Sequence, residues 1–392
     1  MTLFDESYRS DIEIEVFRQV NARKAEGAKV FGVYCAFTPR ELLAAAGGIP
    51  VALCAGSEQP MAEAERHLPR NLCPLIKSSY GHALADSCPY FHCADALVAD
   101  ATCDGKKKMF ELLARIRPLH LLHLPQTAAG PAALDYWLAE LKGVARFLEE
   151  AGGRPLTRTA LGEQIERYNA FREHKRRIFE LNQGPVPLVT GREIDVITAP
   201  TLFDFDLEAR IAELDQARDR LLERARDPQF RAGMAARPRI LLTGCPITNR
   251  KVLDLLEEAG AVVAVMENCG GMKTLGDPVA TGGDPLRALA ATYLAIPCPC
   301  MSPNRRRLEL LESLVRSYRI DAVVELTWDA CHTYNVEAWQ VREHVQGACG
   351  RPYLQIHTDY SPSDCEQLRT RIGAFLEMLD PVPPAPCERR IP

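Results

Sequence analysis

Cysteine is the residue type through which this chain could do chemistry: 14 occur in 392 residues. A reducing intracellular compartment does not sustain disulfides, so that number points to metal or redox chemistry. A single free cysteine more often packs as a small hydrophobe, but the set asks for more. Spacing then narrows the metal. The sequence has no CxxC, no histidine pair at zinc-finger spacing and no run of closely spaced cysteines of the ferredoxin type. Widely separated thiolates gathered by folding suit an iron–sulfur cluster, in which soft sulfur ligands match iron and the surroundings tune the potential. Known clusters span roughly -700 to +450 mV.

Such thiols need a frame to hold them. A chain of 392 residues that is 47% hydrophobic fits two α/β domains of ordinary size. The spacing predicts a first α/β unit over 1–130, a helical connector over 131–237, a second α/β unit over 238–380 and a tail over 381–392. In the first unit, strand-length apolar runs fall at 49–53, 96–99 and 119–124. In the connector, Leu134, Trp137, Leu138, Leu141, Val144 and Phe147 recur at helical spacing. The loop Gln183-Gly184-Pro185-Val186-Pro187 interrupts that pattern and is expected to bring backbone close to another unit. The second unit shows β-rich runs at 239–243, 261–265, 322–326 and 352–356 with helix-length gaps, the mark of a parallel sheet. The fold class is therefore two doubly wound, Rossmann-like parallel-sheet domains, with a ligand cleft beyond the carboxyl ends of the strands.

Cys103, Cys245, Cys269 and Cys331 all fall just past predicted strands, and Cys35, Cys73, Cys298 and Cys300 stand beside turn residues. Thiols serving only as core filler would be expected on strand and helix faces. The bias towards strand-end loops favours ligands. The balance of 47 basic against 52 acidic residues, a formal charge of -5, and the lack of a basic stripe argue against a nucleic-acid partner. With no apolar leader and no apolar stretch of membrane-spanning length, the expectation is a soluble, cytoplasmic protein without a membrane partner.

Three stretches carry a specific resemblance: Tyr34 to Leu42 (YCAFTPREL), Leu68 to Gly81 (LPRNLCPLIKSSYG) and Thr102 to Met109 (TCDGKKKM). It continues through Glu267-Asn268-Cys269-Gly270-Gly271, Cys298-Pro299-Cys300-Met301-Ser302-Pro303-Asn304, Ala330-Cys331-His332-Thr333-Tyr334 and Thr358-Asp359-Tyr360-Ser361. The sequence resembles the double-cubane cluster proteins of the 2-hydroxyacyl-CoA dehydratase and benzoyl-CoA reductase superfamily, over nearly all of the chain except the helical connector.

The resemblance implies a four-iron cluster held by Cys73, Cys103 and Cys331, the positions that match the wider superfamily. It further implies a second cubane, joined through a bridging sulfide into an 8Fe-9S double cubane, with Cys35, Cys269 and Cys300 as its ligands. Cys245 and Cys298 compete for those places. Cys54, Cys88 and Cys93 read as core or near-surface residues, and Cys349, Cys365 and Cys387 fall outside the matched motifs. Relatives of this kind receive electrons from a dimeric ATPase with its own four-iron cluster, so the resemblance also implies an ATP-hydrolysing iron–sulfur partner, with ATP bound only there. A homodimer is expected.

The remaining candidates come from the residues themselves. Gly270-Gly271-Met272-Lys273-Thr274 lacks the leading glycine of a phosphate-binding loop and reads as a turn. Gly270 and Gly271 would also let backbone approach a cofactor at Cys269. Lys106, in a run of three lysines, is a candidate to compensate cluster charge, although such a run is more often a solvated helix start. His332 and Glu267 are candidate proton carriers, with a structural role the competing reading for His332.

Three functions remain open on this reading. The first is an ATP-driven, low-potential reductase acting on a small molecule. The second is a 2-hydroxyacyl-CoA dehydratase subunit with a single 4Fe-4S cluster, and the third a non-catalytic carrier or scaffold.

Overall fold

The computed structural model describes residues 3–198 and 206–379. The expected tail over 381–392, with Cys387, lies outside them. Two four-stranded parallel sheets form the frame. The first contains β1 (Val30–Tyr34), β2 (Ile49–Ala52), β3 (Ala96–Asp100) and β4 (Leu119–Leu122) in the order β2-β1-β3-β4. The second contains β5 (Arg239–Gly244), β6 (Val262–Glu267), β7 (Ala322–Trp328) and β8 (Tyr353–Thr358) in the equivalent order β6-β5-β7-β8. Strands β1, β3, β5, β6 and β7 are buried at every residue, as expected for sheets covered on both faces.

In each sheet the first strand pairs with its second on one side and its third on the other. That reversal opens a crevice at the carboxyl ends of the two inner strands. All the strand-length runs predicted from sequence are strands here, and β1 is an addition to them. Its apolar run carries Gly32, which lacks a side chain because Leu53 and Leu97 occupy the space: a Cβ there would lie 2.3 Å from Leu53 Cδ1. A glycine inside a strand marks such close approach.

Between the sheets run the helices Pro131–Glu150, Arg158–Glu180, Gly191–Thr198, Leu207–Arg224 and Pro228–Ala235. Trp137, Leu141, Val144 and Leu148 form the buried stripe of the first. They join Phe31, Val33, Val98 and Leu289 in one apolar core, while Val30 and Tyr34 face a second core shared with β5 to β7.

The helix Arg158–Glu180 ties the two lobes together. Arg172 Nη1 donates to Glu41 Oε1 at 2.7 Å, and Asn169 exchanges hydrogen bonds with the backbone of Val279 at 2.8 and 2.9 Å. Arg176 reaches Leu275 O and Gly276 O at 2.8 and 2.6 Å. The interrupting loop is bound to the second sheet: Arg239, which opens β5, donates to Gly184 O and Pro185 O at 2.9 and 2.6 Å.

Candidate metal centre

A cavity of about 1280 Å³ opens between the two sheets, and nine cysteines line it: Cys35, Cys54, Cys73, Cys103, Cys245, Cys269, Cys298, Cys300 and Cys331. Six of these follow strands at equivalent places, Cys35, Cys54 and Cys103 after β1, β2 and β3, and Cys245, Cys269 and Cys331 after β5, β6 and β7. Cys54 adds to the sequence reading. It is exposed, as a near-surface residue should be, yet it belongs to the cavity wall, and its place just past β2 is the signal that identified the others. Cys88, which caps the helix Pro89–Cys93, Cys93 at the end of that helix, Cys349 and Cys365 are not on that wall.

The thiols fall into two groups. Cys73 and Cys245 lie within hydrogen-bond reach of Cys331, and Cys103 is near enough to Cys331 to feel its charge. In the other group Cys298 and Cys300 are close enough to share a proton, and Cys35 feels the charges of Cys54 and Cys269. Each group takes sulfur from both lobes. Among the described residues no three His, Cys, Asp or Glu side chains converge as ligands of a single ion. A cubane makes a different demand, because each thiolate binds a different iron, and an all-thiol donor set suits iron–sulfur chemistry over hard cations.

The two groups sit on different backbone. Cys73 stands at the N-cap of the helix Pro74–Leu84, Cys103 at that of Asp104–Leu113 and Cys331 at that of His332–Gly347, and of the three only Cys103 accepts a side-chain capping bond. Lys106 N donates to Cys103 Sγ at 3.4 Å, and the amides of Leu75, Ile76 and Tyr334 favour the thiolates of Cys73 and Cys331. Free amides and the helix dipole make such N-termini natural places for negative sulfur. Hydrogen bonds from Cys245 and Cys73 hold Cys331 well below the ordinary thiol value. Cys73 is pushed up by that same sharing with Cys331, and Cys245 chiefly by burial.

In the other group, Cys35, Cys269, Cys298 and Cys300 stand in loops. Burial pushes Cys35 up to about 12 and Cys269 to about 11, while the hydrogen bond from Cys300 lowers Cys298 to about 7 and leaves Cys300 raised. Backbone strain marks both groups. Cys35 itself has φ 72°, and Ala330, just before Cys331, has φ 56°. For an L-residue that conformation costs roughly 1–2 kcal/mol, and it clusters at functional sites.

Among the other candidates, Lys106 points inward, with Nζ 2.5 Å from Cys35 Sγ. Cys35 and its neighbouring thiols raise it well above the ordinary lysine value against the opposing pull of burial. Lys107 and Lys108 make exposed pairs with Asp104 and Glu111. His332 is exposed at the cavity wall. Gly270 lines the cavity, and Gly271 is pressed against β6, where a Cβ would meet Met266 O at 2.3 Å.

Glu267 is the last residue of β6. It is fully buried beside the wall, not on it, bonded to Thr243 and ion-paired with Lys273 at 3.2 Å and Arg307 at 3.3 Å. Lys273 and Tyr334, both on the wall, are the residues sequence reasoning missed. The Gly-Gly-Met-Lys-Thr segment is a turn ending in the single-turn helix Met272–Thr274, and its lysine is committed to Glu267 and Tyr334 rather than to a phosphate.

Comparison with known proteins fits this arrangement. Residues 35–379 match the family described as 2-hydroxyglutaryl-CoA dehydratase, D-component. The chain is 42% identical to YjiM of Escherichia coli (strain K12), named only provisionally as a dehydratase subunit, over 93% of this chain and 94% of that one. It is 22% identical to the (R)-phenyllactyl-CoA dehydratase beta subunit of Clostridium sporogenes, covering 90% and 92% of the two chains. It is 21% identical to one of the subunits of benzoyl-CoA reductase of Thauera aromatica, covering 68% of each.

Proposed function

We propose, for a chain that belongs to the 2-hydroxyglutaryl-CoA dehydratase D-component family, that it is the substrate-reducing component of an ATP-dependent, low-potential reductase. Cys73, Cys103 and Cys331 would hold one four-iron cubane, and Cys35, Cys269 and Cys300 a second, joined as an 8Fe-9S cluster. Such a cluster supplies electrons one at a time at low potential. The observation that carries the reading is the second thiol group: beyond the three helix-capping cysteines, Cys35, Cys269, Cys298 and Cys300 line the same cavity. A single cubane leaves them without a purpose.

The chain's own residues prepare the site. Lys106 places an ammonium against Cys35 and offsets thiolate charge. The Gly270 backbone lines the cavity close to Cys269. His332, exposed at the wall, is placed to pass protons from solvent. Electrons would come from an ATP-hydrolysing iron–sulfur partner, since Lys273 of the one near-match to a phosphate loop is sealed in an ion pair. A homodimer completes the proposal.

The names of the relatives favour a second reading, a dehydratase subunit acting on a 2-hydroxyacyl-CoA thioester with one 4Fe-4S cluster. Anaerobic iron and sulfide analysis separates the two. The double cubane requires about eight irons per chain, and about four would transfer the assignment to the dehydratase. Turnover of a small unsaturated substrate only with reductant, ATP and the partner protein completes the test, and labile metal with no turnover would leave a carrier.

A further inference from the structure

Lys273 lies on the cavity wall, yet none of its side chain is exposed. The path of the chain explains this. Gly271 packs so tightly on Met266 O that the loop lies flat against β6, and the helix Met272–Thr274 then turns Lys273 inward. Its ammonium sits 3.2 Å from Glu267 Oε1 and 2.5 Å from the Tyr334 hydroxyl, with the Tyr334 ring centroid at 4.7 Å. Glu267 is held in turn by the Thr243 hydroxyl and by Arg307, and Arg307 by Glu325 at 3.0 Å and Glu337 at 2.6 Å.

A buried charge network of this kind is not needed for stability, because well-packed apolar residues commonly do as well or better. What it achieves is placement: three carboxylates and an arginine fix one ammonium at the edge nearest Cys269 and Cys298, whose thiolates that charge favours. The helix-capping group has no cation held in such a network. Amides and neighbouring thiols act on Cys73, Cys245 and Cys331, and the cation acting on Cys103 is Lys106, which also pairs with Cys35.

We infer that Lys273, oriented by Glu267 and Tyr334, is a positioning residue whose fixed charge sets the reduction potential of the cluster half held by Cys35, Cys269 and Cys300. The inference rests on the double-cubane reading given above. A cation fixed beside a cofactor favours the form carrying the extra electron, and burial keeps solvent from screening it.

The test is an EPR-monitored redox titration of anaerobically reconstituted full-length protein, with iron counted in each sample. Lys273→Met should retain about eight irons and move one midpoint down while leaving the other in place, and Lys273→Arg should return it towards wild type. Glu267→Gln, nearly isosteric, keeps the ammonium and removes its counter-charge, so the same midpoint should move up. Opposite signs from two members of one network are not expected of a merely structural role. Should Lys273→Met fail to fold, the upward shift in Glu267→Gln still decides. About eight irons with unmoved midpoints, or shifts in the same direction, overturn the inference alone. About four irons in the wild type overturn it together with the reading beneath it.

Discussion

Cys103 and Cys35 leave neighbouring strands of one sheet, yet they join different thiol groups: Cys103 feels Cys331 from across the cavity, and Cys35 feels Cys269. The two groups also solve the charge problem differently. Cys73, Cys103 and Cys331 each stand at the N-cap of a helix, where the end of the dipole is worth about half an elementary charge. Cys35 and Cys269 occupy loops and have Lys106 and Lys273 beside them, and of the helix-capped thiols only Cys103 shares one of these lysines, Lys106. Charge that comes from backbone survives side-chain substitution, whereas charge that comes from lysine can be removed. The helix-capped group should therefore be hard to tune, and the loop group easy.

The strongest way to break this comparison is to remove one sulfur from each group. Cys331→Ala and Cys269→Ala should each lose about four irons per chain, and the double variant nearly all. Cys245→Ala should keep the full count, because its thiol is expected to hydrogen-bond Cys331 without binding iron. Anaerobic iron analysis reads all four proteins. A wild-type count in Cys331→Ala would dissolve the division into groups.

Much of this frame is legible in the sequence. β5 to β8 and three strands of the first sheet follow from apolar runs between breakers, and Cys103, Cys245, Cys269 and Cys331 follow from their places just past those runs. β1 escaped because Gly32 dilutes the run, for a reason that lies in Leu53 and Leu97, residues distant in sequence. Capping was partly visible: Pro74 after Cys73 is the signature of a first helical position. The sorting of thiols into groups was not, since it depends on how the lobes face each other. The role of Lys273 was hidden likewise, because its partners Glu267 and Tyr334 come from two different elements.

Both groups draw sulfur from both lobes, so their geometry depends on the contacts that hold the lobes in place. Arg172 and Glu41 make the most buried of these: Glu41 is 0% exposed, and its second oxygen accepts from Tyr293 at 2.7 Å. Arg172→Leu leaves that carboxylate without its cation and should cost about 3–5 kcal/mol in urea unfolding. A loss below about 1 kcal/mol, the range of an exposed pair, would show that other contacts set the alignment.

A smaller effect separates Lys106 from its neighbours. Lys106→Met removes a charge-assisted hydrogen bond to Cys35, a contact worth roughly 1.5–3 kcal/mol. Iron should then leave to a chelator roughly tenfold faster from the loop group, with a smaller effect on the cubane at Cys103, whose thiolate Lys106 also favours. Lys107→Met, which breaks an exposed pair with Asp104, should match wild type. Equal rates in the two variants would remove Lys106 from the site.

The mildest effect is a pH slope that distinguishes protein stability from metal retention. Thiols must lose protons to bind metal, so acid weakens both groups in loaded protein. Asp195, on the helix Gly191–Thr198, responds the other way. Burial pushes its carboxyl up to about 6, against the pull of Arg9 at 3.2 Å and Arg250 at 3.6 Å. Because the folded value lies above the ordinary 3.8, the folded state binds this proton more tightly than the unfolded one. The contribution is fully present below about pH 4 and disappears as pH rises through about 6. Metal-free protein should therefore gain on the order of 2 kcal/mol from this group between pH 6 and 4, and Asp195→Asn should reduce the slope there, leaving the part that comes from Asp100, which burial likewise pushes up to about 6. In loaded protein the same window should show the opposite slope, since proton uptake by several thiolate ligands weakens metal binding by more than one carboxyl can compensate. Parallel slopes in the two forms would mean that sulfur protonation does not govern acid stability.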